Sequence, residues 1–233
     1  VVGSTIARET GRGVYLHAGP EISVASTKAF TCQVSVLLMI ALRMARSRRL
    51  SREQGVRIAQ ELHLLPERIS EVLAENDRIA AVAERIAGHH HAFYIGRGYL
   101  YPVALEGALK LKEISYLHAE GYHAAELKHG PIALLSPDMP VVALLNRVPG
   151  WEKSAGNAHE CKARKAPLVG VITRGDDESR SLCDAAIEIP EAPEYSAAVL
   201  DAVALQLLAY HVARLRGCPI DQPRNLAKSV TVE

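Results

Sequence analysis

The sequence predicts an α/β protein built on a parallel sheet flanked by helices, and three observations predict it. From His91 onward, short apolar runs alternate with longer segments of helical periodicity, the pattern of strands that return through helices. A chain of 233 residues, 48% of them hydrophobic, buries a sizeable core as one domain or two small ones. No internal repeat or low-complexity tract competes with that reading.

The elements follow in order. Ser4 to Arg8 reads as a short helix and Val14 to His17 as a strand. Ser23-Val24-Ala25-Ser26-Thr27-Lys28 leads into a long apolar helix from about Lys28 to Ala45, with Ser26 or Thr27 as its cap. Ser51-Arg52-Glu53-Gln54 has capping-box spacing and starts the next helix, which Pro66 ends or separates from another running to Ala87. Strands are expected at His91 to Ile95, Val141 to Leu145, Leu168 to Thr173 and Ala186 to Ile189. Between them fall a helix from Pro102 to about Ala119 and a loose helix over Lys153 to Lys165, and the helix Ala197 to Leu215 follows.

Charge and cysteine usage exclude several classes. The formal net charge is +1 and no single-sign block is long, so the footprint of a nucleic-acid or anionic-membrane binder is missing and small neutral or anionic ligands fit better. The apolar run Val34 to Leu42 is far short of the ~20 residues of a spanning helix and reads as a buried helix. Cys32, Cys161, Cys183 and Cys218 are scattered without a Cys-x-x-Cys, suggesting neither a zinc knuckle nor a disulfide framework and favouring a reducing, cytoplasmic setting. Val1 begins without Met, signal peptide or tag, inside what reads as a helical region, so the chain is expected to be a fragment.

Four features carry candidate chemistry. Gly96-Arg97-Gly98 lies between a strand and a helix, where backbone amides can hold an anion. Position 101 is Tyr where a dinucleotide fingerprint wants glycine, and a tight turn needing glycine explains the motif equally well. On the following helix, Glu106, Lys110 and Glu113 share one face at i, i+4 and i+7. That spacing fits either ordinary surface pairing or a tuned set in which Glu113 is the base that takes a proton beside a carbonyl. Glu126-Leu127-Lys128-His129-Gly130-Pro131 leaves His129 at the exit of a short helix as a candidate proton shuttle. His118, His123, Glu126 and His129 lie near one another without a strong ligand spacing, nor do His89-His90-His91 have one, so no metal is assigned. The fourth feature is the tail, in which Lys228 is a lone amine in a small, weakly polar end.

Taken together, Val24 through Phe30, Gly96-Arg97-Gly98, Ala104 through Tyr116, Glu126 through Pro131 and Asp221 through Glu233 closely resemble the glucosamine-6-phosphate synthase family. The resemblance spans essentially the whole chain and is weakest over Asn146 to Glu194. It implies sugar-isomerase (SIS) subdomains, each a parallel sheet with helices on both faces. Residues 1–49 would then be the C-terminal part of a first SIS subdomain, 50–217 a second, complete one, and 218–233 a catalytic tail. The family's glutaminase domain and the phosphate-binding loop of the first subdomain have no counterpart in these residues.

Residue by residue, the resemblance implies that Lys228 forms an imine with the C2 ketone of fructose 6-phosphate. Ala227 and the loop Val24, Ala25 and Ser26 would line the pocket. Glu113 would move the proton between C1 and C2, with Lys110 and Glu106 as electrostatic support, and His129 would open the sugar ring from the neighbouring subunit. Ammonia from a glutaminase domain would replace the lysine at C2 and glucosamine 6-phosphate would leave. The implied partners are these sugar phosphates and a second copy in a homodimer, with no nucleic acid and no membrane; no cofactor is implied, neither metal nor nicotinamide nor pyridoxal. Two alternatives stay open: another SIS-fold enzyme, such as a fructosamine-phosphate deglycase or a sugar-phosphate isomerase, and a sugar-phosphate-sensing SIS module without turnover.

Overall fold

Five parallel strands carry the fold in the computed structural model, which describes residues 2–228. In chain order the elements are helices α1 (Thr5–Thr10), α2 (Lys28–Arg46), α3 (Arg52–Ala74) and α4 (Asn76–Ala87), strand β1 (His91–Gly96), helix α5 (Leu100–Ser115) and strand β2 (His118–His123). Two 3-10 turns, Ala124–His129 and Pro131–Leu134, precede β3 (Val141–Leu144), α6 (Trp151–Lys162), β4 (Leu168–Thr173), α7 (Asp177–Leu182), β5 (Ala185–Ile189) and α8 (Glu194–Leu215). The strand order is β2-β1-β3-β4-β5, every pairing is parallel, and register is set by pairs such as Ile95 with Tyr122 and Phe93 with Val141.

Alternation along the strands divides the interior into two cores, because successive side chains point to opposite faces. Ala92, Tyr94, Val142 and Val169 join residues of α3, α4, α5 and α8 on one face. Phe93, Ile95, Val141 and Leu168 join α6, α7 and the Ala124–His129 turn on the other. Two glycines let α5 sit close to its neighbours. A Cβ at Gly107 would collide with Leu205 of α8 and come within 2.9 Å of the Tyr94 ring, and one at Gly121 would reach the Leu105 backbone at 2.8 Å. Helix α5 is thereby held against the sheet and α8 along its middle.

The structure corrects several expectations. Val14 to His17 is not a strand: His17 adopts φ 53, and among the described residues the sheet is formed by β1 to β5. Pro66 does not break α3, which runs through it with Leu65 and Val72 buried; side-chain burial outweighs the one backbone bond that proline forfeits. Neither Ser26 nor Thr27 caps α2 with a side chain; the Glu21 carboxylate does so, accepting from the Thr27 and Ala29 amides at 2.7 and 3.5 Å. The helix expected to reach Ala119 ends at Ser115, and His118–His123 is a strand whose polar composition suits a sheet edge. The short helix α7 also escaped the pattern; Asp176 caps it by accepting from Ser179 N.

Helix α2 was expected to be buried, yet none of its residues is. It packs on α3 and α8, leaving Leu37, Met39, Ile40 and Met44 exposed. By length and composition alone α2 and α8 are apolar enough to cross a membrane, but α8 is mostly buried as a core helix.

One polar pair sits deep in the first core. Asp201 of α8 is fully buried and accepts a hydrogen bond from Asn146 Nδ2 at 2.5 Å, just past β3. Burial, only partly offset by that bond, pushes the Asp201 carboxyl up to about 8, so it is neutral at pH 7. The proton supplies a donor where Asp201 Oδ1 and Asn146 Oδ1 otherwise have no partner. A carboxyl raised in the folded state stabilises below its unfolded value near 4, and that stability is lost as pH climbs toward 8, with a slope of up to about 1.4 kcal/mol per pH unit. Asp201→Asn is expected to flatten that decline in urea unfolding between pH 5 and pH 8; an unchanged slope would mean that another group titrates.

Candidate active site

Helix α5 brings three of the sequence candidates together. Lys110 Nζ lies 3.5 Å from Glu106 Oε1 and 2.5 Å from Glu113 Oε2, with side chains only 4%, 12% and 22% exposed respectively. The surface-pairing reading fails on those numbers, because an ammonium so deeply buried survives only with anionic partners. Glu113 Oε2 has no aligned hydrogen-bond donor, so its contact with Lys110 is that of an ion pair. The Glu106 carboxyl is raised by burial, against which Lys110 pulls down, while Glu113 adds to the rise.

The loop before α2 and the tail meet at the far end of α5. Val24 N donates to Asp221 O at 2.9 Å and Ser23 Oγ to Ile220 O at 3.4 Å. Lys228 Nζ donates to Glu21 O at 2.7 Å and stands 3.7 Å from Glu21 Oε2. Burial would raise the Glu21 carboxyl, but the Thr27 and Ala29 amides and Lys228 outweigh it and hold it below the ordinary range. Ala25 is buried and packed in the first core, so it can line a pocket only through its backbone. Ser26 is half-buried and Ala227 exposed. The tail beyond Lys228 lies outside the described residues.

His129 is elsewhere. It ends the 3-10 turn whose Ala124 and Leu127 pack into the second core, across the sheet from the residues of α5. Its side chain is exposed, and among the described residues it forms no hydrogen bond or ion pair with Glu106, Lys110 or Glu113. Gly96-Arg97-Gly98 serves the turn: the Leu100 and Tyr101 amides are spent on Arg97 O and Gly98 O at 2.9 and 3.2 Å, and a Cβ at Gly96 would collide with the Leu100 carbonyl. Arg97 instead donates to Asn157 Oδ1 at 3.1 Å. No group of three or more potential metal ligands gathers among the described residues.

Sequence reasoning missed two residues that organise this region. Glu21 both caps α2 and receives Lys228, and its only linear signal was an acidic side chain a few residues before a helix. Tyr116 closes α5 in a left-handed conformation and binds the tail at Arg224, a contact across 108 residues that no local pattern encodes.

A family model for the SIS domain matches residues 85–216. Over the whole chain the sequence is 52% identical to the glutamine–fructose-6-phosphate aminotransferase (isomerizing) of Chlorobaculum tepidum, of which it spans 38%. Among solved structures it is similar to the C-terminal domain of glucosamine-fructose-6-phosphate aminotransferase from Francisella tularensis, at 38% identity and TM-score 0.91 over 95% of this chain and 63% of that one. The glucosamine-6-phosphate deaminase of Thermotoga maritima is more distant, at 27% identity and TM-score 0.68 over 91% of this chain and 59% of that one.

Removing the ammonium from the α5 set tests its electrostatics. Lys110→Met leaves two carboxylates facing each other and is expected to lower unfolding free energy by about 3 kcal/mol, with much of the loss recovered when Glu106→Gln is added. A loss below about 1 kcal/mol in urea titration would class the set as an ordinary surface pair.

Proposed function

The chain belongs to the SIS-domain family, and from that membership we propose that it is the isomerase part of a glutamine–fructose-6-phosphate aminotransferase, making glucosamine 6-phosphate from fructose 6-phosphate and ammonia. The observation that carries the reading is the 52% identity over 233 residues, the full length of this chain. The chain spans 38% of that relative, so glutamine hydrolysis would lie in the remainder of such a protein.

The chemistry follows from what each group can do. Lys228 Nζ, released from Glu21, attacks C2 of the open-chain ketose; the carbinolamine loses water and an imine forms. Ammonia then displaces the lysine at C2. Glu113 takes the proton from C1, giving an enolamine, and returns it to C2, leaving the aldehyde at C1 and the amine at C2. Lys110 stands against the Glu113 carboxylate at 2.5 Å, and Glu106 adds a second carboxylate beside the buried ammonium. Val24, Ala25, Ser26 and Ala227 would border the sugar.

His129 is proposed to open the sugar ring from a second copy of the chain. In support, the sheet lies between its 3-10 turn and α5, so a homodimer can bring together what one chain separates. The domain reading has its own support. The exposed apolar side of α2 borders a cleft of about 390 Å³ with Leu16, Cys32, Leu65 and Ile69, a surface suited to the remaining strands of a first SIS subdomain ending near residue 49. Residues 50–217 would be the second subdomain and 218–233 the tail. A cytoplasmic location, without membrane or nucleic-acid contact, fits a net charge of +1 and small-molecule chemistry.

Borohydride reduction in the presence of fructose 6-phosphate is expected to trap an adduct at Lys228 in the full-length protein, and Glu113→Gln to retain that adduct while losing at least about a hundredfold in isomerisation. Adducts spread over surface lysines, or isomerisation surviving Glu113→Gln, would remove the assignment. A sugar-phosphate isomerase or deglycase of the same fold is distinguished by failure to form glucosamine 6-phosphate from added ammonia. Mixing His129→Gln and Lys228→Ala protomers is expected to restore activity in hybrid dimers; no restoration would place His129 in the same chain's site.

A further inference from the structure

We propose that Tyr116 is the positioning residue for Lys228: its ring and hydroxyl clamp the tail at Arg224 and set where the amine stands relative to Glu113. The inference rests on the lysine-imine function proposed above and adds a part to it.

Tyr116 occupies the C-cap of α5 at φ 58 and ψ 18. Glycine is the usual residue there, and a side chain in the left-handed region costs roughly 1 kcal/mol. The strain directs the phenol onto the tail. Tyr116 Oη accepts a hydrogen bond from Arg224 N at 2.8 Å, and the Arg224 guanidinium lies 4.3 Å over the Tyr116 ring, a stacked cation on a π face. Immediately upstream, Ser115 O accepts from Arg216 Nε at 3.0 Å and Cys218 Sγ at 3.5 Å. The same carboxyl end of α5 thus holds the exit of α8 and the middle of the tail.

These contacts make a ruler. Glu113 lies three residues before Tyr116 on a rigid helix, and Lys228 lies four residues after Arg224. Asn225 turns the chain at φ 62 directly past the clamp. Between Arg224 and the amine, the described contacts of the tail are those of Lys228 with Glu21, which must break before the lysine reacts. Once they do, Arg224 is the pivot, and four residues allow the lysine backbone a sweep of at most about 14 Å. Loosening the pivot enlarges the volume the amine samples and lowers its frequency of productive attack.

The test uses the full-length protein with Tyr116→Phe, which keeps the ring and removes the hydrogen bond, and Tyr116→Gly, which removes both contacts and relieves the backbone strain. Measured are the rate of borohydride-trapped adduct at Lys228 with saturating fructose 6-phosphate, the half-saturating sugar concentration, and Tm. The saturating rate is expected to fall about three- to tenfold in Tyr116→Phe and further in Tyr116→Gly, with half-saturation changed less than about twofold because the clamp does not touch sugar. Tm is expected to hold or rise in Tyr116→Gly, a combination that a merely structural tyrosine does not produce. Unchanged trapping in both variants, or losses that track Tm, would overturn the clamp while leaving the lysine-imine function standing. No adduct at Lys228 in the unmodified protein would overturn both.

Discussion

Lys110 is almost solvent-free on α5, and an ammonium in that position is tenable only because Glu106 and Glu113 flank it one helical turn away on either side. Much of the molecule is arranged so that this helix can hold them there. Gly107 and Gly121 allow α5 to press onto α8, β1 and β2, which removes water from the face carrying the three charges. Low local polarity strengthens their mutual attraction and magnifies the cost of losing any one of them. The same burial raises Glu106, so the two carboxylates are not equivalent: one is tied to balancing the ammonium and the other keeps an oxygen without an aligned donor.

The sheet is the second constraint. By splitting the interior into two cores it puts α5 on one side and the turn bearing His129 on the other. Within one chain Glu113 and His129 therefore lie on opposite sides of the sheet, and α2 keeps an exposed apolar side.

As far as Lys228, the tail is anchored at several points. Ile220 and Asp221 bond to the loop before α2, Arg224 to the cap of α5, and Lys228 to Glu21. Each contact is modest, but together they hold the tail against both the loop before α2 and the end of α5.

The sequence by itself determined the parallel α/β architecture, because apolar runs and helical segments alternate at distances that only parallel strands with return helices satisfy, and it determined the α5 set, because i, i+3 and i+4 spacing fixes which side chains share a helix face. It also singled out Lys228, whose residue type in an otherwise small, weakly polar tail is visible without a fold. It misjudged β2, whose polar residues are tolerated at a sheet edge, and Pro66, whose lost backbone bond is outweighed by burial of Leu65 and Val72. The tertiary structure alone decided that Lys110 is buried, that Asp201 is a neutral acid beside Asn146, that His129 lies across the sheet from Glu113, and that Glu21 and Tyr116 receive the tail. Those outcomes depend on contacts between residues 55 to 207 positions apart or on which face of the sheet an element packs, and burial and long-range pairing are properties of the assembled core that leave no periodic trace in the chain.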